Sequence, residues 1–321
     1  MRNNPVISIV IPIFNEEENL KELIDRCLNV CRNLKKPFEL ILVDDGSNDD
    51  GPKIISEAVE NNSKEIIGVF LNRNYGQHAA IMAGFTQLNG EICITLDADL
   101  QNPPEEIPNL VKKINEGYDI VGCIRMPRSD TLFRRMASYF VNKFIQMSTG
   151  VVMSDYGCML RAYKRSIIKA LLQCDERNIF IPVLANSFAK NLAEIKVSHN
   201  SRKAGDSKYS FWKLFNLQFD LLTSMTTTPI RLLTILGFLI SLSGSGLGVY
   251  ILIMRIIYGP VWSLEGIFTL FAVLFIFIGA LFVGMGLIGE YIGRIYSDVR
   301  GRPMYFIQSV IGANKQKSEE D

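Results

Sequence analysis

Two long stretches without a charge set the strongest limit on what this chain can fold into. Residues 232–254 and 267–288 are 23 and 22 residues long and contain no Asp, Glu, Lys or Arg. At about 1.5 Å of rise per residue, either helix is long enough for a hydrocarbon layer of about 30 Å. Lipid offers the backbone no partners, so each run is predicted to be a helix that satisfies its own amides. The link between them carries Trp262 and reads as a hairpin loop with an interfacial aromatic ring. Two crossings return the chain to its starting side. Arg231 before the first run, and Arg294, Arg300 and Arg302 after the second, place both ends in the cytoplasm. Arg255 argues the other way and is expected to snorkel. Gly244/Gly248, Ala280/Gly284 and Gly289/Gly293 are small-residue pairs that suit close helix approach and leave room for a homo-oligomer. A soluble core would have to bury both runs, which is a poorer account of them.

The first two-thirds of the chain is different in kind. Residues 7–14 form a β-branched run, as in a strand buried on both faces. Leu20, Leu23, Ile24, Cys27, Leu28, Cys31 and Leu34 then recur at helical spacing. Further strands are expected at 40–43, 66–71, 92–96 and 120–124, with helices around 53–60, 77–88 and 105–115, the last opened by Pro103-Pro104. This alternation predicts an α/β, Rossmann-like domain with a mostly parallel sheet and helices on both faces. The expected organisation is a catalytic domain over 1–210, an interfacial amphipathic helix over 211–230, the two spans within 231–290, and an interfacial helix and tail over 291–321.

Composition removes several function classes. The net charge is +1, which gives no footprint for nucleic acid. The six cysteines form no C-x-x-C pair, so they read as reduced core residues rather than a disulfide framework or zinc site. His78 and His199 are the only histidines, too few for a histidine-rich metal centre. The first apolar run contains Pro12 and gives way to Asn15-Glu16-Glu17-Glu18, unlike a secretory leader, so this half is expected to stay in the cytoplasm. No P-loop motif occurs, and Gly244-Ser-Gly-Leu-Gly248 lies inside an apolar run, where it reads as packing.

In open α/β sheets, ligands bind beyond the carboxyl ends of the strands. Those ends here read Asn15-Glu16, Asp44-Asp45-Gly46-Ser47, Asp97-Ala98-Asp99 and Arg125. Asp97 and Asp99, two apart on an extended chain, are expected to point the same way and to hold Mg²⁺ or Mn²⁺. Gln101 is a further oxygen donor, directly or through water. An isolated D-x-D is a common solvated turn, but this one follows a buried strand. A second cluster is basic: Arg125, Arg134 and Arg135, then Arg202, Lys203 and Lys208 in a Gly/Ser-containing loop. Arginine and lysine in that setting suit a phosphate; ordinary attraction to anionic lipid is the plainer alternative.

Ile9-Val-Ile-Pro-Ile-Phe-Asn-Glu16, Val43-Asp-Asp-Gly-Ser47 and Asp97-Ala-Asp-Leu-Gln-Asn-Pro-Pro-Glu105 resemble the family 2 glycosyltransferases of GT-A fold. The loop with Gly205, Ser207 and Lys208, and Ile288-Gly-Glu-Tyr-Ile-Gly-Arg-Ile-Tyr296 with Arg302-Pro303, are similar to the polyprenyl-phosphate branch. Leu71–His78, Asp155–Tyr163 and Thr226–Arg231 point within that branch to transfer of 4-deoxy-4-formamido-L-arabinose for lipid A modification. The resemblance implies a UDP-sugar donor, an undecaprenyl phosphate acceptor in the lipid bilayer, and inversion at the anomeric carbon. It implies that Pro12, Phe14, Glu16, Asp44 and Asp45 hold the uridine, and that Asp97, Asp99 and Gln101 manage metal and diphosphate. It gives Arg125, Arg134, Ser138 and Arg202 to the lipid phosphate, and makes Asp155 the position often assigned as base. Phe14 stands where family members often carry tyrosine, so stacking remains there without a hydroxyl. Rival readings are a processive polysaccharide synthase, which lacks support because no Gln-x-x-Arg-Trp motif occurs, a glucosyl- or mannosyltransferase on the same acceptor, and a non-catalytic membrane scaffold.

Overall fold

The computed structural model describes residues 5–126, 157–174, 180–198, 228–258 and 267–312. These fall into two compact units, residues 1–209 with 302–321, and residues 210–301.

The first unit is built on β1 (Ile7–Ile13), β2 (Phe38–Asp44), β3 (Ile66–Leu71), β4 (Ile92–Thr95), β5 (Ile120–Met126), β6 (Arg161–Lys164), β7 (Leu192–Ser198) and β8 (Ile307–Ile311). They make one sheet in the order β7-β5-β6-β4-β1-β2-β3-β8. β1 pairs in parallel with β2 and β4, β2 with β3, and β5 with β7. β6 is antiparallel to both β4 and β5, and β8 is antiparallel to β3. All strands except β6 and β8 therefore run the same way, and their carboxyl ends share one edge. β6 separates β4 from β5, so Arg125 lies two strands from the Asp97 turn.

Alternation along β1 divides the core. Ile7, Ile9, Ile11 and Ile13 face a cluster with α1 (Glu17–Asn33), α2 (Gly51–Asn61) and α4 (Ile107–Asn115). Val10 faces the opposite cluster, with α3 (Gln77–Gln87), α5 (Arg165–Leu172) and α6 (Ile181–Phe188). Both faces are covered, which explains why the strands read as continuous apolar runs rather than alternating ones. At the amino edge, buried Glu39 accepts hydrogen bonds from the Ser8 hydroxyl and from the backbone N–H groups of Asn89 and Gly90. A buried carboxylate is tolerated when donors surround it, and this one fastens β1, β2 and the turn into β4 together.

The second unit contains α7 (Thr228–Tyr258) and α8 (Ile267–Val299). Leu232–Tyr258 and Ile276–Gly293 are long and apolar enough to cross a membrane, and none of either stretch is buried within the protein. A Cβ on Gly244 would lie 3.2 Å from the Phe277 ring, and one on Gly284 would lie 3.5 Å from Leu233. These two glycines thus mark the antiparallel contact of the helices, whereas a Cβ on Gly248, Gly289 or Gly293 would meet no atom within 4 Å among the described residues.

The structure departs from expectation at the carboxyl end. In place of an interfacial helix and tail over 291–321, residues up to Val299 continue α8, and Ile307–Ile311 return to the sheet as β8. Most of the interfacial helix expected over 211–230 lies outside the described residues.

Gly84 on α3 lies directly over the sheet; an added methyl would collide with Val10 Cγ1 and come within 3.0 Å of Val43 Cγ2. Overpacking of this kind costs about 1–3 kcal/mol. Gly84→Ala is therefore expected to lower the melting temperature by roughly 2–12 °C, at about 2–4 °C per kcal/mol for a domain of this size. Thermal unfolding of the detergent-solubilised protein checks this.

Candidate active site

The carboxyl edge of β1, β2, β3 and β4 gathers most of the acidic residues singled out in the sequence. Pro12 lies within β1 opposite Val43. Phe14 follows the strand and is 41% exposed, leaving its ring face open. Asn15 adopts a left-handed φ of 53°. Its side-chain oxygen accepts the Asn48 N–H at 2.8 Å, and its own N–H donates to the Ser47 hydroxyl at 3.0 Å. The loops after β1 and β2 are thereby joined. Glu16 is half-buried and accepts from the Asn19 amide at 2.9 Å.

Asp44 and Asp45 end β2 and are buried. Asp44 accepts the Ser47 N–H at 3.2 Å, while Asp45 accepts the N–H groups of Tyr75 and Gly76 at 2.8 and 2.9 Å. Burial pushes both carboxyls above the usual aspartate range, and the N–H donors only partly oppose it. Gly46 has φ 69°, and a Cβ there would lie 2.5 Å from the backbone of Arg73. Only glycine lets the β2 loop approach the β3 loop this closely. Above that approach the Arg73 guanidinium lies 4.6 Å from the Tyr75 ring centroid.

The Asp97-Ala98-Asp99 segment is a turn rather than the extended chain expected, because β4 stops at Thr95. Alternation nevertheless survives: Ala98 and Leu100 are buried and the two aspartates are half-buried. Leu100 takes φ 58°, which costs on the order of 1 kcal/mol and is held by its burial. Gln77 Nε2 donates to Asp97 Oδ1 at 2.6 Å, and Asn102 Nδ2 reaches Asp97 Oδ2 at 3.4 Å. The Gln101 contribution is its backbone N–H, 3.1 Å from Asp99 Oδ1. Asn102 is buried and accepts the Cys158 thiol at 3.8 Å, which ties this turn to the chain entering β6. Arg26 grips Glu105 through two nitrogens, at 3.0 and 2.7 Å, and anchors the helical turn that follows.

Among the described residues no three His, Cys, Asp or Glu side chains cluster as a metal cage. Asp97 and Asp99 are hard oxygen donors at the mouth of one turn. That set fits Mg²⁺ or Mn²⁺ completed by substrate phosphate oxygens, since such ions are commonly held by one or two carboxylates plus a diphosphate.

Arg134, Ser138, Asp155, Arg202 and Lys208 lie outside the described residues, and of Arg125 only its backbone place in β5 is described. Gln77, Asn102 and Arg73 were given no role from sequence. They carry no acid, base or ligand signature there, and only the contacts to Asp97 and Tyr75 reveal them.

Residues 8–172, just over half of the chain, match the glycosyl transferase family 2 model. The chain belongs to glycosyl transferase family 2. It is thus an enzyme of GT-A fold. Its relatives include the undecaprenyl-phosphate 4-deoxy-4-formamido-L-arabinose transferase of Photorhabdus laumondii, 58% identical, with 98% of this chain and 97% of the relative covered. The proteins of the same name from Yersinia enterocolitica and Klebsiella pneumoniae (strain 342) are 57% and 55% identical, each covering 98% of this chain and 96% of their own. Among solved structures, glucosyl-3-phosphoglycerate synthase from Mycobacterium tuberculosis in complex with Mg²⁺ and UDP is 17% identical, covers 68% of this chain and 78% of its own, and has a TM-score of 0.49.

Asp45 holds the entrance to α3 through two backbone N–H groups. Asp45→Ala is expected to raise amide hydrogen exchange at Tyr75 and Gly76 by about tenfold or more, while core strand amides such as Val10 stay protected. Residue-resolved exchange measured by mass spectrometry or NMR checks this.

Proposed function

We propose that this enzyme transfers 4-deoxy-4-formamido-L-arabinose from UDP to undecaprenyl phosphate, with inversion, at the cytoplasmic face of a bacterial inner membrane. The observation that carries the reading is identity of 58% extending over 98% of the chain, far beyond the family model. It takes in the two apolar helices and β8, where a soluble transferase would have no reason to agree.

The donor half of the reaction falls to the edge just described. The exposed Phe14 ring supports stacking on uracil. Asp45 uses one lone pair of each oxygen on backbone N–H groups and keeps others for the nucleoside; Asp44, Pro12 and Glu16 border the same place. Arg73, with no ion pair among the described residues, adds a cation. Asp97 and Asp99, with Gln101 beside them, would hold the divalent ion. When bound, that ion supplies positive charge to the departing diphosphate. Gln77 and Asn102 fix the Asp97 carboxylate so that it needs no reorganisation during the reaction.

The acceptor half is assigned to Arg125, Arg134, Ser138, Arg202 and Lys208, which would receive the lipid phosphate. A phosphate oxygen forms the bond to the anomeric carbon as the carbon–oxygen bond to UDP breaks, and the electron pair leaves with UDP. A phosphate monoester has a second pKa near 6, so the nucleophile is largely ionised at about neutral pH. Asp155 is therefore assigned an orienting role rather than that of an obligatory base. β8 supports the topology: the chain leaves the sheet domain, passes through two apolar helices, and rejoins the same sheet. An even number of crossings fits that return, and it agrees with the arginines at the outer ends of the helices.

A transfer assay with radiolabelled UDP-sugars and undecaprenyl phosphate tests the reading, with product expected from the formamido-arabinose donor above glucose or mannose donors. Asp99→Ala is expected to abolish transfer while the protein stays folded and membrane-bound, and a chelator should silence the wild type. Activity surviving either treatment would remove the metal from the account.

Asp155→Asn should slow transfer by a similar factor across the pH range. Steep loss at neutral pH with recovery at higher pH would instead make Asp155 a base.

A further inference from the structure

The amino end of α3 carries a side chain that neither the fold nor the proposed chemistry accounts for. His78 is the second residue of the helix, its Cα about 3.8 Å from that of Gln77, whose amide is bonded to Asp97. Its ring meets Phe180, the residue before α6, edge-on at 5.0 Å between centroids. The Nδ1 atom is enclosed and has no hydrogen-bond partner among the described residues. Burial lowers the pKa of the ring to about 4, so the imidazole is neutral at physiological pH. A buried ring nitrogen left without a partner costs roughly 1–3 kcal/mol. Such a group in a native site calls for an explanation, and a ligand that pairs with it is one.

We propose that His78 is a specificity-determining residue that hydrogen-bonds the polar substituent of the transferred sugar, with Phe180 as the apolar wall beside it. The inference rests on the function proposed above. With the diphosphate assigned to Asp97 and Asp99, the glycosyl group attached to it would approach the amino end of α3, where His78 follows the Gln77 that bonds Asp97. A formamido group suits this place for three reasons. It presents an N–H donor and a carbonyl acceptor, so it can pair with Nδ1 in either neutral tautomer. It is uncharged, so placing it beside the Phe180 ring costs less than placing an ion there. A free 4-amine would be cationic, and neither the neutral imidazole nor the Phe180 ring offers a negative charge to offset its desolvation. Sites built to hydrogen-bond a substituent reject analogues that leave the buried group unpaired.

The test compares wild type, His78→Phe and His78→Asn as full-length protein in detergent or nanodiscs. The donors are UDP-4-deoxy-4-formamido-L-arabinose and the corresponding UDP-sugar with a free 4-amine; kcat and KM are measured for each, with UDP affinity by calorimetry. His78→Phe is expected to lower kcat/KM for the formamido donor by about 10- to 100-fold, to bring the ratio between donors toward one, and to leave UDP affinity within about twofold. His78→Asn, whose amide offers both a donor and an acceptor, should recover part of the ratio. An equal fall on both donors, loss of UDP binding in both variants, or an unchanged ratio would overturn the inference. A wild-type protein inactive on both donors would overturn the functional reading and the inference with it. A wild type that discriminates, beside a His78→Phe variant that discriminates equally, would overturn the inference alone.

Discussion

The amino end of α3 is held by two aspartates that follow different strands, and the arrangement of the carboxylate edge depends on that double attachment. Asp45, after β2, takes the N–H groups of Tyr75 and Gly76. Asp97, after β4, takes the side-chain amide of Gln77. Three consecutive residues, 75–77, therefore link the turns on either side of β1. The first N–H groups of a helix have no partners within it, and here a carboxylate one strand away supplies acceptors just ahead of the first turn. The interaction also fixes the direction in which Asp97 points, because both of its oxygens are engaged, by Gln77 and by Asn102. A carboxylate so constrained keeps one direction, and its neighbour Asp99 is braced by the backbone of Gln101.

The cost of that arrangement is visible in the local conformations. Asn15 and Leu100 both have left-handed φ values, and both lie at strand ends on this edge. Asp44 and Asp45 are buried deeply enough that burial outweighs their hydrogen bonds and raises both pKa values. Glu39, buried at the opposite edge, is by contrast well supplied with donors.

The parallel half of the sheet was legible in the sequence because its strands are continuous apolar runs between helices of clear period. Their carboxyl ends could be read as a site for the same reason. β6 was not legible: Arg161-Ala-Tyr-Lys164 is four residues with a cation at each end, and its burial comes from pairing with β4 and β5 rather than from any pattern of its own. β7 follows a short helix and alternates Leu192, Ala193, Glu194, Ile195 and Lys196, a pattern weak enough to pass for loop. β8 was hidden by its position, since five residues after a long apolar helix read naturally as a tail. α8 outran its apolar core by eleven residues because Glu290 and Arg294 end a hydrophobic run without ending a helix. The aspartates at the site were legible by type. Their supports were not, since Gln77 and Asn102 are ordinary polar residues until the fold brings them to Asp97.

β8 changes what the apolar helices mean for the enzyme. Had the chain ended after α8, the helices would be an anchor appended to a self-sufficient sheet. Instead Ile307–Ile311 complete the sheet beside β3, and Met304, Tyr305, Ile307 and Val310 pack into the same core cluster as α3. The Asn72 N–H donates to the Phe306 carbonyl at 3.3 Å, at the start of the loop that Asp45 holds. The strand that follows the last apolar helix therefore supports the loop leading to Gln77 and Asp97. Losing it would uncover the edge of β3 and one side of that loop, so the segment beyond the helices is part of the framework of the carboxylate edge rather than a trailing end.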